Sequence, residues 1–329
     1  MAKPIVAVTM GDPAGVGPEI VLKALADPAI GRACRPIVFG DLDLLQRTRK
    51  KLRIGLQMAP WAPREAWPRA IAVRSLSSLS PSEARPGVPS RACGAAVYRY
   101  VTEAARAALA GSVDAIATAP LNKKVLHLAG HRYPGHTELF AEIAGAREVR
   151  MMLLGRRLKV VLVTVHLPLM RVAEALTARK IKATLELTDR ALKHYFSLSR
   201  PRLAVAALNP HAGEEEIFGR EEKEIILPAV AAAKKRGVRA FGPFPADSLF
   251  YLAARGDYDA VICMFHDQGL IPLKLLDFIG GVALTLGLPF VRTSVDHGTA
   301  YDIAGRNKAD ETSMKKAILL AARLARRKS

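Results

Sequence analysis

The chain has 329 residues, 50% hydrophobic and 24% charged, which is ordinary globular composition and enough for one large core or two joined ones. No apolar run approaches the roughly 20 residues that span a bilayer, and the opening MAKPIVAVTM lacks the apolar stretch and small-residue cleavage site of a signal peptide, so the chain reads as cytoplasmic. Lysines and arginines number 49 against 30 acids, for a net charge of +19, yet they are scattered, aromatics are only 6% and no finger spacing occurs, which sets nucleic acid below an anionic small molecule as the expected partner.

Taken in chain order, the first predicted strand is Ile5 to Thr9, followed by a Gly-rich turn and a helix over Gly17 to Ala26. A strand at Ile37 to Phe39 precedes a basic cluster at Arg47 to Arg53, and Ala59 to Pro68 reads as a surface excursion. After a strand at Ile71 to Arg74 and a second excursion at Pro81 to Pro89 come a helix, Cys93 to Ala110, and a strand, Ala115 to Thr118. The helix Thr137 to Ala144 leads into the middle of the chain. There the strands Lys159 to Val165, Leu203 to Leu208 and Ala260 to Phe265 alternate with helices Ile181 to Phe196 and Arg220 to Lys235, and Glu311 to Arg326 closes the chain as a helix. The runs VVLVTV, LAVAAL and AVICMF are apolar on both faces, the mark of parallel strands covered by helices. Alternation of this kind predicts an α/β fold. Cys34, Cys93 and Cys263 lie far apart with no CxxC spacing, so neither disulfides nor a zinc ribbon is expected.

Three histidines occupy equivalent places. His166 follows KVVLVTV, His211 follows RLAVAALNP and His266 follows DAVICMF, each at or just past the carboxyl end of a predicted strand. Ligands bind at that edge of α/β sheets, so three imidazoles could converge on a divalent ion that keeps open positions for chemistry. Three separately hydrogen-bonded histidines are the plainer alternative. The turn TMGDPAGVGPE, residues 9–19, either presents backbone N–H groups to an anion or builds a tight turn; it is neither GxGxxG nor a Walker loop. TAPLNK, residues 118–123, is another strand-end loop, and PGHTELF brings His136 and Thr137 to a helix start, where Thr also suits an N-cap. GPFPADSLF places Asp247 at a turn, in a site or as a helix cap, and HDQG is followed by Lys274, an anion contact or a solvated lysine.

Together and in order, GDPAGVGPE, TAPLNK, PGHTE, the stretch around His166, NPHAGE, GPFPADSLF, FHDQG, TLGLPFVRTSVDHGTA and DIAG resemble the 4-hydroxythreonine-4-phosphate dehydrogenase family along essentially the full chain. VDHGTAYDIAG also resembles the cofactor loop of isocitrate and isopropylmalate dehydrogenases. The resemblance implies two α/β/α lobes with a cleft in an isopropylmalate dehydrogenase-like fold: residues 1–130 with 270–329 in one lobe, and 131–269 in a second carrying much of the metal site and dimer interface. It implies His166, His211 and His266 as ligands of one divalent ion (zinc, magnesium or cobalt), with one histidine supplied by the partner in a homodimer. His136, Thr137, Lys274 and Arg292 are the implied substrate contacts, and Gly298, Thr299, Asp302 and Gly305 the implied contacts to NAD or NADP. Lys274 and Asp247 are the candidates for taking the alcohol proton.

The implied activity is oxidation of 4-phosphooxy-L-threonine to 2-amino-3-oxo-4-phosphooxybutanoate, which loses CO₂ to give 3-amino-2-oxopropyl phosphate in vitamin B6 biosynthesis. One departure bears on it. Where the family often has a substrate-contacting Asn, this chain has Ala283, which cannot make that hydrogen bond. Oxidation of D-threonate or D-erythronate 4-phosphate in sugar-acid catabolism is therefore the alternative. A basic nucleic-acid-associated protein that keeps the fold without turnover is the remaining rival.

Overall fold

Strands and helices alternate throughout the computed structural model, which describes residues 2–61 and 70–326, and the chain is α/β. The chain divides into two compact units, Met1–Arg147 with Leu288–Ser329, and Glu148–Gly287. The first unit opens with β1 (Ile5–Thr9), α1 (Gly17–Ala26), α2 (Pro28–Ala33), β2 (Arg35–Gly40), α3 (Leu42–Leu52), β3 (Met58–Pro60) and β4 (Ile71–Ser75). It continues with α4 (Arg91–Leu109), β5 (Ala115–Thr118), α5 (Lys123–Leu128) and α6 (His136–Ile143). The second unit holds β6 (Arg150–Leu154), β7 (Lys159–Leu162), α7 (Val172–Ala175), α8 (Ala178–Phe196), β8 (Leu203–Ala206), α9 (Leu227–Lys235), β9 (Ala240–Phe244), α10 (Ala246–Arg255), β10 (Ala260–Cys263), α11 (His266–Leu276) and β11 (Val282–Leu286). The chain then returns to the first unit as β12 (Val291–Val295) and α12 (Thr312–Ala325).

In the first unit the strands lie in the order β3-β4-β2-β1-β5-β12, every adjacent pair parallel. Parallel pairing puts the carboxyl ends of β1, β5 and β12 side by side, with Thr9 opposite Thr118 and Thr118 opposite Ser294. Val6, Val8, Ile37, Ile116 and Val291 are shut off from solvent beneath Val97, Tyr100 and Ile318 of the covering helices. Side-chain caps start those helices where the sequence turns polar: Asp27 accepts from Ala29 N at 2.8 Å, Asp41 from Leu44 N at 2.9 Å and Ser90 from Cys93 N at 3.1 Å.

In the second unit the order is β11-β6-β7-β10-β8-β9. β6 runs antiparallel to both β11 and β7, while β7, β10, β8 and β9 pair in parallel. The strand ends carrying His166, His266 and His211 are therefore consecutive, and parallel neighbours lie about 4.8 Å apart.

Several elements differ from the sequence-based expectation for identifiable reasons. The strand expected to reach Leu208 stops at Ala206, because the N–H groups of Leu208 and Asn209 turn away to a carboxylate oxygen of Glu222. The helix expected from Arg220 begins instead as a π-turn, Glu222–Ile226, before α9. Residues 131–147, expected in the middle lobe, lie in the first unit because α6 packs on α4 and Phe140 meets Phe290 edge-on at 5.9 Å. Residues 270–287, expected with the terminal lobe, lie in the second unit because β11 pairs with β6. Of the excursion expected at 59–68, residues 59–60 belong to β3, and residues 62–69 lie outside the described residues. All three cysteines are free and buried, and no helix among the described residues is long and apolar enough to cross a membrane.

Candidate active site

The second unit brings two of the three strand-end histidines together. His166 and His266 have ring centroids 5.7 Å apart at an interplanar angle of 40°. Two imidazoles on one tetrahedral ion stand about 5 Å apart at their centroids, so the pair fits a shared divalent ion. His266 is the first residue of α11, and its Nδ1 lies 2.7 Å from Asp267 Oδ1. A carboxylate on one ring nitrogen orients the ring and leaves Nε2 for a metal. Gln268 fastens the same corner. Its Oε1 accepts from Met264 N at 2.7 Å, and its Nε2 donates to Ala207 O at 2.6 Å, tying the end of β10 to the end of β8.

His211 stands apart from that pair. Its ring lies 6.0 Å from Phe218, and among the described residues no group of three His, Cys, Asp or Glu side chains is placed to hold a metal. His211 opens an irregular turn. Residues 211–216 all have positive φ, with 52° at His211 and 55° at Ala212, an unfavourable conformation for side chains with a Cβ. Glu222 holds the residues just before the turn. It is buried, its Oε1 accepts from Leu208 N and Asn209 N, both at 2.8 Å, and its Oε2 accepts from Asn209 Nδ2 at 2.9 Å. Glu222 carries no motif, and only its place in a π-turn marks it, since such turns cluster at functional sites.

The remaining candidates in this unit have plainer surroundings. Asp247 is exposed in the first turn of α10, where it accepts from Ser248 N at 2.8 Å, while Pro245 occupies the N-cap position. Lys274 is partly buried on α11 with Nζ 5.5 Å from the centre of the Phe278 ring. It lies two turns from His266, about 12 Å along the axis. Ala283 is buried in the unit's apolar core with Leu153, Leu158, Val160 and Leu162.

In the first unit, β12 and α6 build a cationic site. Arg292 is 3% exposed, its Nη2 donates to Thr118 Oγ1 at 2.7 Å, and its guanidinium carbon lies 5.5 Å from the centre of the Phe140 ring. Burial pulls its pKa down to about 9, opposed by Glu138. His136 opens α6, with Gly135 rather than Thr137 at the N-cap, and its ring stacks near Phe140 at 6.2 Å. Its Nε2 is buried with no hydrogen-bond partner among the described residues. Burial, helped by the neighbouring guanidinium, holds the imidazole well below its ordinary pKa of 6.5, so the ring is neutral. A buried guanidinium, an orphaned imidazole nitrogen and an α6 start with no side-chain cap together suit a carboxylate or phosphate. Thr137, half-buried beside His136, shares that helix end.

The Gly-rich turn is fully buried from residue 11 to residue 20, and its N–H groups are committed: Asp12 N to Pro120 O at 2.9 Å, Ala14 N to Asp12 Oδ1 at 2.9 Å and Val16 N to Thr299 O at 2.9 Å. These N–H groups are turned to the protein itself, which favours the tight-turn reading of the sequence. Beside it, the candidate cofactor loop exposes Asp302 and leaves open space over Gly298, while Thr299 is turned inward and Gly305 packs on Pro86. Open backbone and a free carboxylate on one loop fit a dinucleotide.

Comparison with known proteins finds one family whose members carry two activity names. The family described as "Pyridoxal phosphate biosynthetic protein PdxA" matches residues 32–321. A 4-hydroxythreonine-4-phosphate dehydrogenase of Geobacter metallireducens is 51% identical over 334 residues, covering 98% of this chain and 96% of that protein. A D-threonate 4-phosphate dehydrogenase of Pectobacterium atrosepticum is 43% identical over 330 residues, covering 98% of this chain and 99% of that one. The crystal structure of a 4-hydroxythreonine-4-phosphate dehydrogenase from Klebsiella pneumoniae superposes with a TM-score of 0.88 at 44% identity, covering 98% of this chain and 99% of that chain.

Proposed function

The chain belongs to the PdxA family of pyridoxal phosphate biosynthetic proteins, and from that premise we propose that it is the dehydrogenase of 4-phosphooxy-L-threonine in vitamin B6 biosynthesis, acting in the cytoplasm. The observation that carries the reading is 51% identity to a 4-hydroxythreonine-4-phosphate dehydrogenase across nearly the whole of both chains. The reaction removes a hydride and a proton from the alcohol to leave 2-amino-3-oxo-4-phosphooxybutanoate. That β-keto acid then loses CO₂ to give 3-amino-2-oxopropyl phosphate.

Each part of the site has a task. Arg292, neutral His136 and the start of α6 at Thr137 bind the anionic substrate, as the buried charge of Arg292 favours. Gly298, Thr299, Asp302 and Gly305 receive NAD or NADP, which accepts the hydride. His166, His211 and His266 hold a divalent ion (zinc, magnesium or cobalt), which when bound lowers the pKa of an alcohol and polarises a ketone. Lys274 and Asp247 are the two candidates for the group that takes the proton.

The enzyme acts as a homodimer, with one of the three histidine ligands supplied across the subunits. What supports this is that His166 and His266 lie together without a third ligand grouped with them among the described residues, with exposed apolar side chains on all three histidine-bearing segments. Met170 is 86% exposed, Ile217 72%, Leu275 85% and Phe278 76%, side chains that a second copy would cover.

Oxidation of D-threonate or D-erythronate 4-phosphate is the second reading, favoured by Ala283, whose place in the apolar core offers the substrate no hydrogen bond. NADH formation with the amino acid phosphate and with the two sugar-acid phosphates, each with added divalent metal and with chelator, separates the readings. Metal-dependent turnover of the amino acid phosphate is expected. Turnover of only the sugar acids would move the chain to the second reading, and salt-sensitive nucleic-acid binding without catalysis would return it to a non-enzymatic role.

A further inference from the structure

We propose that Asp12 and Tyr301 are positioning residues for the dinucleotide, and that the buried Gly-rich turn of residues 11–17 is the seat on which the cofactor loop, residues 298–305, is held. The inference rests on the reading of that loop as the nicotinamide-cofactor site. Asp12 is completely buried. One of its carboxylate oxygens accepts from Ala14 N at 2.9 Å and the other from the hydroxyl of Tyr301. Burial raises the carboxyl above its ordinary range, and the bonds from Tyr301 and Ala14 oppose that shift.

Two further bonds complete the seat. Val16 N donates to Thr299 O at 2.9 Å, and Gly87 N donates to Ala14 O at 2.8 Å. The fit allows no side chain where the loops meet. A Cβ on Gly15 would stand 2.9 Å from Thr299 O, and one on Gly11, whose φ is +73°, would stand 2.6 Å from Pro120 O. The cofactor loop is thus pinned at Thr299 and Tyr301, whereas Gly298 faces open space and Asp302 is exposed. A loop fixed beneath and open above is preorganised. It gives up little conformational freedom when a ligand lands on it, and releasing the pins would make binding bear the cost of ordering it.

The test uses the full-length, metal-loaded enzyme. NADH affinity is measured by fluorescence titration, and KM for the phosphorylated substrate separately, in the wild type, Tyr301→Phe, Asp12→Asn and the double variant. Tyr301→Phe removes one hydroxyl at a half-buried position and keeps the ring, so it stays informative if Asp12→Asn folds poorly. Each single variant is expected to weaken NADH binding about tenfold, with substrate KM changed less than about twofold, and the double variant to cost little more than either single one. A folded Tyr301→Phe enzyme with wild-type NADH affinity would overturn the inference, as would an equal loss of cofactor and substrate binding. If the wild type itself bound no NADH while still binding substrate, the cofactor reading would fall and take the inference with it.

Discussion

A ring nitrogen shut away from water with nothing to bond costs free energy unless a ligand meets it, and His136 Nε2 is such an atom, beside the buried guanidinium of Arg292. Because the folded protein holds His136 far below 6.5, the unfolded chain takes up a proton there first as pH falls. The sign follows: the unfolded state binds more protons, so this contribution to stability is present above pH of about 6.5 and is lost as pH drops below it, at up to about 1.4 kcal/mol per pH unit. Urea unfolding between pH of about 7.5 and about 5.5 is expected to show that slope in the wild type and a shallower one in His136→Asn. Equal slopes would mean that the imidazole is not held neutral by the fold.

Among the elements, the turn after β8 departs furthest from regular structure. Six successive residues with positive φ carry His211, and Glu222 accepts three hydrogen bonds from Leu208 and Asn209 just before them. The Glu216 carboxylate, paired with Arg220 at 3.4 Å and with Lys223, braces the far side. Glu222→Gln keeps the shape but replaces one accepting oxygen with a donor, so the turn should relax and His211 lose its aim. Divalent-metal affinity, measured by chelator competition, is expected to fall about 10- to 100-fold. An unchanged affinity in a folded variant would show that the turn holds its geometry without the carboxylate, or that His211 is no ligand.

At the scale of the whole molecule, most of the exposed large apolar residues lie in the second unit, many on the segments that carry the metal-site histidines. If a second copy covers that surface and supplies one of the three histidine ligands, assembly and metal binding must fail together. Leu275→Asp places a charge on an exposed apolar side chain of α11, where the isolated fold has room for it. Analytical ultracentrifugation is expected to show a monomer with wild-type circular dichroism and metal affinity reduced at least about tenfold. A monomer that still bound metal at full strength would break the link between the two.

The α/β class, the strand-end positions of the three histidines and the ordered motifs could all be read from the chain alone. They depend on local rules: β-branched apolar runs make buried parallel strands, and ligands gather where such strands end. The family resemblance also named Arg292, His136 and the loop at 298–305, and the fold places the first two in one buried site. What the chain could not show was the company those residues keep. Glu222 lies more than ten residues from His211, and Asp12 lies 289 residues from Tyr301. Their pairing follows from which strands become neighbours and which loops meet over the sheet edge. The Gly-rich turn shows the same limit. Its glycines looked like an anion cradle or a tight turn until tertiary packing committed its N–H groups to Pro120, Asp12 and Thr299. Periodicity and turn chemistry act over a few residues, whereas the sharing of hydrogen bonds between distant loops is decided only when the sheet brings them together.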